Sequence, residues 1–198
     1  MKTFHRLRFH KVGAAIACAA LALPAAAELA APEGWRKESF KFPLPYAPTL
    51  PYEGTEQVRF APGWSRFATE EGFSYVVLWD IQPAAMEPEA IERALGVYFD
   101  GLMNNVAIGR KLEAMVPQSS ATLHPMAAPD RWADAYAGAI YTWNAFAAAE
   151  PLVLNVEVTV RRCDAKRTQV FYAIAKAPRT SAVWEPLRAI RQQSSCES

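Results

Sequence analysis

The chain has 198 residues, 21 basic against 20 acidic, and is 52% hydrophobic and 12% aromatic with only nine glycines, a composition that excludes global disorder. Four of the basic residues and no acid precede Glu28, which leaves residues 28–198 with 17 basic against 20 acidic side chains. That balance argues against nucleic acid as a partner, because such a partner demands a basic face.

Lys2, Arg6, Arg8 and Lys11 open the chain, an apolar run follows from Val12 to Leu23, and Ala25-Ala26-Ala27 supplies small side chains. The run is shorter than the ~20 residues that cross a bilayer core. It reads as a secretory signal over residues 1–27, cleaved before Glu28, for a protein that works in the periplasm or outside the cell. Cys18 after Ala15-Ile16-Ala17 loosely fits lipoprotein processing, but the apolar run continues past it to Leu23. Residues 28–198 have the length of one domain with a sizeable core and carry no further membrane span.

Trp35–Leu44 ends in alternating aromatics, the pattern of a half-buried strand. Pro43, Pro45, Pro48 and Pro51 then keep residues 43–54 extended along an edge or the surface, with Leu44, Tyr46, Leu50 and Tyr52 folding down onto the body and Gly54 closing the segment. Glu56–Phe60 alternates, with Val58 and Phe60 on one face and Gln57 and Arg59 on the other. Ala61-Pro62-Gly63-Trp64 carries type II turn chemistry. Phe73–Ile81 is apolar on both faces, as a strand covered on both sides should be.

Between Met86 and Val106 the period changes. Ile91, Leu95, Phe99, Leu102, Met103 and Val106 form a helical stripe, while Arg93, Asp100 and Asn104 face water. Pro88 and its acidic neighbours suit the first turn, and Gly96 and Gly101 would let the helix lie close to the sheet. A short strand around Leu112–Met115, a strand over Ala121–Met126 and a long strand within Asp130–Phe146 follow. Leu152–Val160 and Thr168–Lys176 form a hairpin around the polar turn Cys163–Arg167, and Val183, Trp184, Leu187 and Ile190 mark a C-terminal helix. The order predicts a single α+β domain, mainly an antiparallel sheet with a long central helix and a short C-terminal helix packed on it.

Cys18 leaves with the signal, so Cys163 and Cys196 remain as an even pair, and an oxidising compartment favours their joining in a disulfide. His124 is then the one histidine after residue 27. A zinc site would need Cys163, Cys196, His124 and a carboxylate without close ligand spacing, so neither a metal nor another cofactor is expected. Ser119 and Ser120 lack the glycine elbow of a hydrolase nucleophile, and His124 reads as an ordinary strand histidine.

Along Gly54–Trp64, Phe73–Trp79 and Tyr98-Phe-Asp-Gly-Leu-Met103 the chain resembles a family of small secreted proteobacterial proteins of unestablished function. The likeness spans nearly all of residues 28–198 and implies export, and it assigns a catalytic role to no residue. In element order alone the chain is similar to the PsbP/Mog1-like sandwiches, which implies an accessory or protein-binding module.

The side chains that could carry function are few. Asp80, between Trp79 and Ile81, is an acid–base candidate or an ordinary partner of Arg59. Glu157, on the outward face of its strand, reads as paired or exposed. Trp64 and Trp184 are candidates to line a groove for an apolar ligand or a partner's side chains, with Asp80 and Arg59 nearby. The expected function is that of an exported accessory or binding protein without catalytic activity, whose partner is a periplasmic protein or an apolar small molecule. An apolar-ligand or lipid carrier, which needs a large cavity, and a carboxylate-dependent hydrolase, which needs two facing carboxylates, are the alternatives.

Overall fold

The computed structural model describes residues 28–82, 86–112, 117–129, 131–147 and 149–196. The segments with alternating or continuously apolar sequence form strands β1 (Arg36–Lys41), β2 (Glu53–Phe60), β3 (Tyr75–Gln82), β4 (Ser120–Pro125), β5 (Asp134–Trp143), β6 (Pro151–Arg162) and β7 (Thr168–Ala175). Among the described residues two helices join them, α1 (Pro88–Gly109) and α2 (Trp184–Gln193), in an α+β domain. The strands pair antiparallel throughout in one sheet of order β1-β2-β3-β7-β6-β5-β4. Two meanders, β1–β3 and β4–β7, are thus joined along β3 and β7, from Tyr75 opposite Ile174 to Ile81 opposite Thr168.

The continuous apolar sequence of β3 follows from this position, since both of its faces are covered. Tyr75, Val77, Trp79 and Ile81 enter the core beneath α1, and Val76 and Leu78 enter a second core beneath α2. In α1, Ile91, Leu95, Phe99 and Met103 are buried, whereas Leu102 and Val106 stay half-buried. The helix runs on past Val106 to Gly109, and its backbone approaches the sheet through β4 and β5 rather than over its middle.

Arg93 and Asn104 are exposed as expected, but Asp100 is not free in water: its Oδ1 accepts the Ser119 N–H at 2.5 Å. Glu92 Oε1 likewise accepts the Leu123 N–H at 2.6 Å. These carboxylates occupy one backbone donor just before β4 and one within it, on an edge strand that would otherwise invite another strand. The two glycines serve close approaches to neighbouring loops, not to the sheet. A Cβ on Gly101 would lie 1.7 Å from the Tyr46 carbonyl oxygen, and one on Gly96 would lie 3.2 Å from that of Ser119.

Gly101 therefore lets the proline-rich segment press onto the helix. Leu44 and Leu50 are buried there, and Tyr46 and Tyr52 pack on the main core, as the sequence predicts. Gly54 lies inside β2 rather than closing the segment. The Trp64 N–H donates to the Ala61 carbonyl at 2.9 Å, but Gly63 lacks the left-handed φ of a type II turn, so the turn is of another type. Leu112 belongs to no strand, while the rest of the short strand expected near it, and the signal over residues 1–27, fall largely or wholly outside the described residues. Among the described residues no helix is long and apolar enough to cross a membrane.

On the opposite face α2 buries Trp184, Leu187 and Ile190 against Val76, Leu78, Phe171 and Ala173. Beyond it Cys163 and Cys196 form the expected disulfide, with a Cα–Cα distance of 5.4 Å, tying the β6–β7 turn to the chain after α2.

Candidate functional site

Alternation along β2 places Glu56 on the same face as Val58, toward the main core, and its carboxylate is fully buried there. Three elements converge on it. Tyr46 from the proline-rich segment donates its hydroxyl to Glu56 Oε1 at 2.5 Å, and Trp79 from β3 donates its indole N–H to Oε2 at 2.6 Å. Tyr98 from α1 completes the enclosure, its ring centroid 5.3 Å from that of Tyr46 and 5.8 Å from that of Trp79.

These donors are neutral, so no positive charge offsets the loss of water around the carboxylate. Burial pushes the Glu56 pKa up from an ordinary 4.5 to about 7, against the pull of hydrogen bonds from Tyr46, Trp79 and Tyr98. Burial, reinforced by the negative charge of Glu56, also holds the Tyr46, Tyr75 and Tyr98 phenols well above their usual range. They remain protonated donors at any physiological pH.

Tyr46 and Tyr98 form the inner wall of a cleft of about 400 Å³ between the β1–β2 edge, the second half of α1 and the segment around Phe146. Leu102 and Val106 are half-buried because they form its helical side. Its far end is aromatic. Trp64 packs on Phe60, Phe67 and Phe146 with ring centroids 4.9, 5.5 and 5.5 Å away, and Phe73 and Phe146 are 6.1 Å apart. At the rim Arg36 stacks over Phe60 at 4.4 Å and Trp64 at 5.0 Å while pairing with Glu38 at 3.3 Å. Among the described residues the buried Trp64 indole nitrogen has no hydrogen-bond partner. The arrangement suits an apolar or aromatic ligand that packs against these rings.

The residues singled out by sequence do not gather in this cleft. Trp64 lines it, but Trp184 is fully buried on the opposite face, its indole N–H donating to the Ala177 carbonyl at 3.1 Å. Asp80 and Arg59 also lie on that opposite face, and they are not partners. Register sets Asp80 opposite Thr55 and Arg59 opposite Val76, four positions apart along the ladder. Asp80 accepts from Gln169 at 2.8 Å and pairs with Arg167 at 3.6 Å. Arg59 instead donates to the Leu29 carbonyl from Nε at 3.0 Å and Nη2 at 2.7 Å, anchoring the chain just after the expected cleavage point.

Glu157 is buried and paired, with Arg188 at 2.5 Å and Arg191 at 3.3 Å, both from α2. Ser119 shares a 2.9 Å hydrogen bond with Thr142, and His124 is exposed on β4. The two cysteines that a zinc site would need are joined to each other. Sequence reasoning passed over Glu56, although the signal was present: an acid sharing strand parity with Val58 and Phe60 is destined for an apolar face. Nothing local in the sequence marks Tyr46, Trp79 and Tyr98 as its neighbours, because they come from three separate segments.

Comparison of the chain with family models, with curated proteins and with solved structures finds no match.

Proposed function

We propose that the protein is an exported binding protein whose cleft takes an apolar, ring-bearing or short-chain small molecule. The observation that carries this reading is the aromatic cleft, whose volume of about 400 Å³ lies within the ~300–1,000 Å³ of small-molecule sites. That size suits a compact ligand better than a whole diacyl lipid. Export rests on the signal-like residues 1–27, on the resemblance to small secreted proteobacterial proteins, and on the Cys163–Cys196 disulfide, which fits an oxidising compartment such as the periplasm. An accessory role without chemistry of its own is supported by the engagement of both Glu56 oxygens by Tyr46 and Trp79, which ties that carboxylate into the wall of the cleft.

The test is titration with N-phenyl-1-naphthylamine, an apolar probe that fluoresces when it leaves water. The wild type should bind it saturably, and Trp64→Ala should weaken binding roughly tenfold, the loss of about 1.4 kcal/mol of ring contact. Val106→Trp, which fills the cleft from α1, should abolish it. Undiminished binding to both variants would place the site elsewhere.

A further inference from the structure

On the α2 face three arginines line a second depression of about 490 Å³, beside the end of α2 and the segment around Pro129. Arg161 comes from β6, Arg191 from α2 and Arg131 from the loop before β5. Two of them are deeply set, Arg161 and Arg191 being 8% exposed each.

Arg161 is held rigidly. Its guanidinium stacks on the Trp132 ring at 4.5 Å, and Nε and Nη2 donate to Gln169 Oε1 at 3.1 and 2.5 Å. Nη2 also reaches Ser194 Oγ at 3.4 Å. Both acceptors are neutral, and no described residue accepts from Nη1. The nearby carboxylate, Asp80, is already engaged by Gln169 and Arg167.

Among the described residues Arg191 has one ionic partner, Glu157, and shares it with Arg188, while its buried Nε has no acceptor. Arg131 makes no ion pair among the described residues and adds a third positive charge close enough to act on Arg161. Burial lowers the pKa of both Arg161 and Arg191, the mark of cations removed from water faster than opposite charge is supplied. A cluster with open N–H groups, excess positive charge and one rigid planar fork is complementary to a group with several anionic oxygens.

The geometry points to a binding site for a small oxyanion, a carboxylate or a phosphate group, between Arg131, Arg161 and Arg191. The depression is larger than a bare ion requires, and Trp132 with Pro129 supplies an apolar wall, so the anion is one end of a small organic molecule. This site lies across the sheet from the aromatic cleft and is independent of it.

Calorimetric titration of the full protein with inorganic phosphate, and separately with acetate, at constant ionic strength tests the proposal. Saturable binding is expected for at least one anion, and the tighter of the two identifies the group recognised. Arg131→Gln, at an exposed position, should weaken that binding at least tenfold. Arg161→Lys, which keeps the charge but loses the fork, should weaken it as well. Both variants should still bind N-phenyl-1-naphthylamine as the wild type does, which separates this site from the cleft. Absence of saturable binding for both anions relative to chloride, or wild-type affinity in both variants, would overturn the proposal.

Discussion

Glu56 on the α1 face of the sheet is held by a phenol and an indole, whereas Glu157 on the α2 face is held by two arginines. The two faces are buried by different means. The first is an aromatic core in which one carboxylate has lost water without gaining a counter-charge, and it leaves a cleft open at its edge. The second is a network of arginines, glutamine and carboxylates laid over a smaller apolar core, and it clasps segments at both ends of the described chain. Burial raises the pKa of Glu56 because its donors, a phenol and an indole, bring no charge to offset the lost water.

The largest effects expected come from the two cores themselves. Phe99→Ala on the α1 face and Trp184→Ala on the α2 face should each cost about 3 to 5 kcal/mol in denaturant melts. Only Phe99→Ala, adjacent to Tyr98, should also loosen probe binding in the cleft. If Trp184→Ala weakens the probe equally, the two faces are not independent.

Next is the disulfide, which closes a loop over a sequence separation of 33. On the chain-entropy estimate the double change Cys163→Ser and Cys196→Ser should cost about 3 to 4 kcal/mol while sparing the cleft. Unchanged stability in the same melts would show that the α2 face is secured by its ion pairs alone.

Glu56 offers the sharpest contrast between the faces. In the folded protein it keeps its proton up to about pH 7, whereas an unfolded glutamate releases it near 4.5. The folded state thus binds the extra proton between those values, and stability falls as pH rises through that window. The loss is of the order of 3 kcal/mol, present in full above about pH 7 and absent below about 4.5. Glu56→Gln should flatten this slope in melts compared at pH 5 and pH 8. An equal slope in the variant would assign the titration to another group. The smallest effect belongs to Arg93→Ala on the exposed side of α1, which should stay within about 0.5 kcal/mol.

Much of the fold was legible because strands and helices write their periods locally. β6 alternates from Leu152 to Val160, α1 repeats its apolar stripe from Ile91 to Met103, and β3 is apolar throughout because it is covered twice. The site was less legible. Trp64 and Trp184 look equivalent in the sequence, yet one borders the cleft and the other is sealed beneath α2. Asp80 and Arg59 invite pairing on adjacent strands, and only the register shows them to be four positions apart.

The sequence by itself determined the α+β class, most of the elements, the hairpin of β6 and β7, and the pair of cysteines available to join. It also determined that Glu56 would share a face with Val58, since parity along a strand is a local property. Only the tertiary structure decided what that face would meet. The close contact at Gly101 brings Tyr46 onto α1, the antiparallel pairing of β2 with β3 brings Trp79 beside Glu56, and the turn of α1 presents Tyr98 to both. These contacts join residues distant in the chain, and no local pattern encodes them. A cleft is likewise the space that remains when separate elements pack, so it has no sequence of its own.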